Sequence, residues 1–254
     1  MDETIQGIAH FRVQRPNLLP SPAREIQLIR AMLKRTIEVA DRFRPDVIHA
    51  HSPILVGFPG LFVSKRLSKP FVYEVRDLWE NATVDRKRFG HGTIWYRAAR
   101  SLETMLLRRA DCVVTIGNVL REELEGRTAK PVFVVQNGVD VEQFSTPPVA
   151  PKEPNKWQLT DRKLIAYVGS FQPYEGLGVL LESFALVSRS QPSARLLIAG
   201  DGPEKAGLVA LAAKLQIQDA VIFAGRVPHS EVSAIYSAAD VLVYPRIDTL
   251  TSAW

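Results

Sequence analysis

KLIAYVGSFQPYEGLG, residues 163–178, decides the fold. An aliphatic run, KLIAYV (163–168), ends in Gly169, crosses a short loop and enters an apolar-periodic stretch over 176–190. A short continuous apolar run fits a strand buried on both faces of a parallel sheet, and the helical period after it supplies the crossover. The same unit recurs in both directions. Towards the C-terminus stand ARLLIA (194–199), AVIFA (220–224) and DVLVY (240–244), with helical patterns near 204–216 and 230–238. Towards the N-terminus DVIHAH (46–51), PFVYEV (70–75), DCVVTI (111–116) and PVFVV (131–135) alternate with helical patterns near 55–68, 93–110 and 118–125. Each run is predicted as a parallel strand buried on both faces, and the alternation predicts an α/β protein of the doubly wound kind. Further upstream, Ser21-Pro22 reads as the start of a helix whose apolar positions Ile26, Ile29, Leu33, Ile37, Ala40 and Phe43 step by three or four residues.

The regularity breaks at STPPVAPKEPNKWQLT (145–160), which holds four prolines and no apolar period. This predicts two Rossmann-like domains, residues 1–145 and 161–254, joined by a linker over 146–160 and facing a cleft. Residues 1–20 offer only the weak strand GIAHFRV before PNLLPSP, and ten residues follow DVLVY, so both domains are expected to be incomplete.

The 254 residues are 46% hydrophobic, enough to bury a core. The single cysteine, Cys112, falls in a strand read as buried; it excludes an intrachain disulfide and leaves neither thiol catalysis nor zinc ligation with partners. The uncharged run Ser52 to Ser64 is too short to span a bilayer and nothing resembles a signal peptide, so the expected location is the cytoplasm. Of 32 Lys+Arg and 27 Asp+Glu, residues 1–145 hold 22 and 17, leaving 10 of each for 146–254. The whole surplus lies in the first part. A solvated face explains it, and so does peripheral contact with an acidic membrane surface at the inner face of the membrane. Nucleic acid is not expected as a partner, because the basic residues are interleaved with acidic ones and no recognition motif accompanies them.

Candidate functional residues cluster after strands, the ligand-facing end of an α/β sheet. His49 and His51 in DVIHAHSP share one face by period-two alternation. They could transfer protons or line an acceptor site, but two ligands make no metal site and no third is evident, so no metal is expected. In YEVRDLWE, Arg76 could clamp a phosphate, Asp77 accept from a hydroxyl and Trp79 stack on a sugar; a surface ion pair with a core tryptophan is the alternative. Asn137 in QNGVD turns the chain out of the sheet. Gly169, Ser170 and Gly176 bracket a loop whose backbone amides could face a diphosphate at a helix N-terminus. AGDGPE supplies Gly200, Gly202 and Pro203, the last suited to a first helical position; Asp201 is expected to cap that helix, or the loop to meet a base and ribose. Arg226 and Arg246 are the strand-end cations of the second half, and His229 or Ser230 is expected to cap the helix after FAGRV.

Taken in order, DVIHAHSP, VYEVRDLW, QNGVD, YVGSF with EGL, IAGDGPE, and FAGRV followed by SAADVLVYP resemble the retaining glycosyltransferases of family 4, which have the GT-B fold. The VRDLW and YEGL variants are most similar to bacterial enzymes of extracellular polysaccharide synthesis associated with exosortase systems. The resemblance implies an acceptor-binding first domain, a nucleotide-sugar-binding second domain, a glycan or lipid-linked acceptor, and transfer with retention and without a metal or other cofactor. It also marks departures. Ser170 and Glu175 stand where many relatives carry an Arg and a Lys for the diphosphate, and Arg76-Asp77 falls where many carry a cleft histidine. The family's pair of donor-site glutamates has no counterpart after Glu231, so catalytic residues are left unassigned and low activity is expected of this chain. A catalytically silent GT-B remnant that binds a nucleotide or a protein is the alternative.

Overall fold

The computed structural model describes residues 2–5, 7–14, 23–85, 90–142 and 163–250. The chain divides between Asn137 and Gly138 into two compact units. The expected linker and the Ser21-Pro22 helix start lie outside the described residues.

The first unit opens with a hairpin, β1 (Asp2–Ile5) paired antiparallel to β2 (Ile8–Phe11). The sequence reading had one weak strand here. DETI is too polar to read as a strand, and it is held by pairing and by ion pairs from Arg12 to Glu3 and from Arg35 to Asp2. A separate four-stranded parallel sheet follows, ordered β3 (Ile48–His51), β4 (Phe71–Val75), β5 (Cys112–Thr115), β6 (Val132–Val134). Its helices are α1 (Ala23–Phe43), α2 (Ile54–Leu67), α3 (Trp79–Asp85), α4 (Ile94–Arg109) and α5 (Asn118–Glu125). The short α3 had no counterpart in the sequence pattern.

Burial on both faces is less general than the sequence suggested. In β3 the residues Ile48 and Ala50 are buried while His49 and His51 are exposed, because β3 is an edge strand of the described sheet. Cys112 is half-buried. Along α1, Leu33, Ile37 and Ala40 reach the core, whereas Ile26 and Phe43 remain exposed, Phe43 lying 5.4 Å from the ring of Phe11.

The second unit is a parallel sheet ordered β10 (Val241–Leu242), β7 (Leu164–Val168), β8 (Arg195–Ala199), β9 (Val221–Gly225). Its helices are α6 (Leu177–Ser190), α7 (Lys205–Lys214) and α8 (His229–Ala238). Here the two-faced reading holds for the central strands. Leu164, Ala166, Leu197 and Ala199 meet Ile235 of α8, while Tyr167, Leu196 and Ile198 meet Leu181 and Phe184 of α6 and Leu208 of α7. Strand β10, at the edge and two residues long, is exposed.

One buried carboxylate ties the first unit together. Helix α2 starts after Pro53, which has no side-chain oxygen to cap it, and Glu103 of α4 does so instead. Its Oε1 accepts from the Ile54 amide at 2.5 Å and its Oε2 accepts from the hydroxyl of Tyr73 in β4. A carboxylate at a helix N-terminus satisfies an orphan donor and meets the positive end of the dipole. Burial nevertheless pushes the Glu103 carboxyl above its usual value, and the bonds from Tyr73 and Ile54 only partly oppose that.

A raised folded-state pKa means that the folded protein holds the proton more tightly than the unfolded chain. Glu103 therefore contributes stability that is fully present below the unfolded value and is lost as pH rises through the folded one. Glu103→Gln should remove this component, so that the stability of wild type relative to the variant falls as pH rises above about 4.5. Urea unfolding across acidic to neutral pH checks it; parallel pH profiles for the two proteins would show that Glu103 does not titrate differently on folding.

Candidate functional site

At the carboxyl edge of the first sheet, parallel register places His51 opposite Glu74 and His49 opposite Val72. Glu74 thereby reaches both imidazoles, His49 Nε2 lying 3.0 Å from Oε2 and His51 Nδ1 lying 3.5 Å from Oε1. The two rings are stacked, 4.9 Å apart and 15° from parallel. This corrects the sequence reading, which saw no third donor. Glu74 comes from the neighbouring strand, and strand register is not visible along the chain.

Arg76 follows β4 with its Nε 3.7 Å from Glu74 Oε1, its Nη2 donating to Asn137 Oδ1 at 2.6 Å and its amide meeting Ser52 Oγ at 3.4 Å. Asn137, grouped with the donor loops in the sequence, thus stands beside Arg76 of the first unit. Asp77 and Trp79 do not accompany Arg76 outward. They border a packed interior with Glu80, Glu103 and Arg127.

That interior holds a charged network. Arg127, 5% exposed, bonds Glu80 at 2.5 Å and Glu123 at 2.7 Å, and Arg100 reaches Glu123 at 2.9 Å. Burial pushes Glu123 upward, but bonds and charges from Arg127 and Arg100 outweigh it and hold the carboxyl below its usual value. Breaking a buried pair by deleting one partner strands a charge, so this network fixes the geometry beneath α3.

In the second unit four strand ends converge. The loop after β7 binds the loop after β8 backbone to backbone: Gly169 N to Ala199 O at 3.0 Å, Phe171 N to Asp201 O at 3.0 Å, Glu204 N to Phe171 O at 3.2 Å. Gly200, at φ 143°, allows this contact, since a Cβ there would lie 1.8 Å from the Gly169 carbonyl oxygen. Gly202 packs against the Phe171 backbone, and Ser170 is exposed with its carbonyl accepting from Tyr167 Oη at 2.8 Å. Gly176, at φ 70°, is the N-cap of α6 and lies against Pro245 and Ile247. The first-turn amides of α6 have no carbonyl one turn back within their own helix, which suits an anion.

The cations there are engaged. Arg226 Nε lies 3.6 Å from Asp201 Oδ2, and Arg246 Nε lies 3.5 Å from the buried Glu175. Arg226 keeps most of its surface, its side chain being 85% exposed. Asp201 does not cap α7, which begins at Lys205 after Glu204; its Oδ1 accepts from the Gly202 amide at 3.0 Å. Pro203 sits in the turn before α7 rather than at its first position. Neither His229 nor Ser230 caps α8, whose N-cap is Pro228. Sequence reasoning missed a tyrosine cluster: Tyr244 Oη is 3.1 Å from Tyr236 Oη, and burial, aided by that bond, pushes Tyr244 up to about 12.

The family model described as Glycosyltransferase Family 4 matches residues 3–143, and that described as Glycosyl transferases group 1 matches 149–248. The chain belongs to glycosyltransferase family 4. It is similar to the glycogen synthase of Mycobacterium tuberculosis, 27% identical over 227 residues that make up 86% of this chain and 51% of that protein. It is 24% identical to the alpha-monoglucosyldiacylglycerol synthase of Streptococcus pneumoniae over 82% of this chain and 48% of that one. The chain thus spans about half the length of the curated relatives it matches. Among solved structures, Anabaena HepE in complex with UDP aligns with a TM-score of 0.66 and 16% identity, over 85% of this chain and 57% of that one. The likeness extends to the fold.

The glycine at 200 provides a test of the loop packing. Gly200→Ala should destabilise the second unit by about 1–3 kcal/mol through backbone strain alone. Gly207→Ala, exposed within α7 with nothing within 4 Å of a new Cβ, should stabilise it by about 0.5–1 kcal/mol. Chemical denaturation followed by a probe in the second unit distinguishes them, and equal effects would refute the steric account.

Proposed function

We propose that the chain belongs to an enzyme that moves a sugar from a nucleotide diphosphate to a hydroxyl of a glycan or lipid-linked acceptor, with retention. The observation that carries this reading is the α6 N-terminus beside the Gly169–Gly176 loop, set among strand ends on one edge of a parallel sheet. First-turn amides and the helix dipole favour a diphosphate there, and Arg226 supplies a largely exposed cation. In the transfer proposed, the bond from the anomeric carbon to the diphosphate breaks, the acceptor oxygen bonds that carbon, and the departing phosphate takes the acceptor proton. The protein positions both partners and stabilises the leaving charge, with no metal in the step. HepE as a UDP complex and a synthase named for a glucosyl lipid support the donor and acceptor classes.

For the 254-residue chain itself, turnover is proposed to be slow. The donor loop carries Ser170 and Glu175 rather than cations, and Arg226 and Arg246 each lie against a carboxylate. The same pairing favours the second reading, a module that binds nucleotide without chemistry. Calorimetric titration with a panel of nucleoside diphosphates and their sugars tests both. Binding of one nucleotide, weakened severalfold in Arg226→Ala, with a product of retained anomeric configuration supports the enzyme; binding without product supports the module. No binding by any nucleotide to the folded chain overturns the site.

A surface for an acidic membrane is proposed on α4. Ile94 and Trp95, 76% and 69% exposed, are joined on this helix by exposed Leu102 and by exposed Arg97, Arg108 and Arg109. An interfacial helix combines apolar area with basic residues, each worth about 1 kcal/mol near anionic lipid. No helix of the described residues is long and apolar enough to cross a membrane. The chain should co-sediment with anionic vesicles and lose this on Trp95→Glu; equal recovery on neutral vesicles would sink the idea.

A further inference from the structure

We propose that His49, His51 and Glu74 form a binding site for a divalent cation of the zinc and cobalt class. Glycosyl transfer as proposed above does not use it. The three side chains each offer one ligand atom, and these lie within 4.8 Å of one another. Two imidazoles and a carboxylate are a donor set that such ions take, leaving further positions for water or a bound oxygen ligand.

The geometry goes beyond proximity. Tetrahedral coordination with bonds of about 2.0–2.1 Å puts its donors about 3.3 Å apart. His49 Nε2 lies 3.0 Å from Glu74 Oε2 and His51 Nδ1 lies 3.5 Å from Glu74 Oε1, each near that spacing but to separate oxygens. Each imidazole faces a different oxygen of Glu74, so the carboxylate sits between them. The near-parallel rings follow from positions two apart on one strand, and Glu74 is fixed as the cross-strand partner of His51. Small rotations of three side chains, with no backbone change, would turn mutual contacts into contacts with a shared ion.

The site is also accessible. The histidine side chains are 45% and 50% exposed, so an ion can enter and keep open coordination positions. Hard ions such as magnesium prefer oxygen donors and are disfavoured by two nitrogens. The guanidinium of Arg76, 3.7 Å from Glu74, opposes a cation electrostatically. It is also drawn to Asn137 at 2.6 Å, and that bond need not change when an ion binds.

The alternative is that Glu74 serves only as a hydrogen-bond and charge partner for the two histidines. Equilibrium dialysis of the 254-residue chain with zinc, together with the visible spectrum of added cobalt, separates the two. One equivalent of zinc is expected, with a cobalt spectrum of nitrogen and oxygen ligation, and no competition from magnesium. His49→Ala, His51→Ala and Glu74→Gln should each weaken binding at least about tenfold. Arg76→Ala should strengthen it, and His229→Ala should leave it unchanged. Circular dichroism of each variant confirms folding. Absence of stoichiometric zinc, or binding indifferent to the three ligand substitutions, overturns the site. Nucleotide binding measured with and without chelator should be the same, so failure here is distinct from failure of the donor site.

Discussion

Parallel strand pairing is the constraint on which the rest depends. It forces every connection to return through a helix and delivers the carboxyl ends of neighbouring strands to one edge. In the first unit that edge gathers His51, Glu74 and Arg76, which come from two strands and share a register fixed by backbone hydrogen bonds. In the second it gathers Gly169, Gly200 and Arg226, from three. Polar side chains can occupy those ends because the apolar cost of folding is met lower down, in cores built from Phe71, Tyr73, Leu106 and Val113 or from Leu196, Ile198, Leu181 and Phe184.

Beneath the first edge, buried charge supports the site. Glu103 caps a helix that its own N-terminal residue cannot cap and joins α2, α4 and β4 through two bonds. Glu80, Arg127, Glu123 and Arg100 anchor α3 and α5 against α4. Such groups stabilise only while every partner stays in place, which makes them sensitive fixtures of orientation. In the second unit the fixtures are backbone contacts between loops, close enough that a side chain at Gly200 has no room. Its cations there meet carboxylates, Arg226 facing Asp201 and Arg246 facing Glu175.

Much of this was legible along the chain. The mainly apolar runs at 71–75, 164–168 and 195–199 became strands because short stretches of this kind bury well within a parallel sheet. The ordered motifs likewise marked the family that the matches over 3–143 and 149–248 establish. Less legible were the elements whose stability comes from neighbours: the polar strand β1, held by its hairpin partner, and the short α3, whose Glu80 meets through Oε1 an arginine, Arg127, from 47 residues away.

The sequence by itself determined most of the strands and helices and which residues stand at their strand ends, because periodicity is a local property. Only the tertiary structure decided which of them meet. It turned Asp77 and Trp79 inward, set Asn137 beside Arg76, engaged Arg226 and Arg246 with acids, and brought Glu74 between His49 and His51. Strand register and loop contact link residues distant in the chain, and no spacing within one segment encodes them.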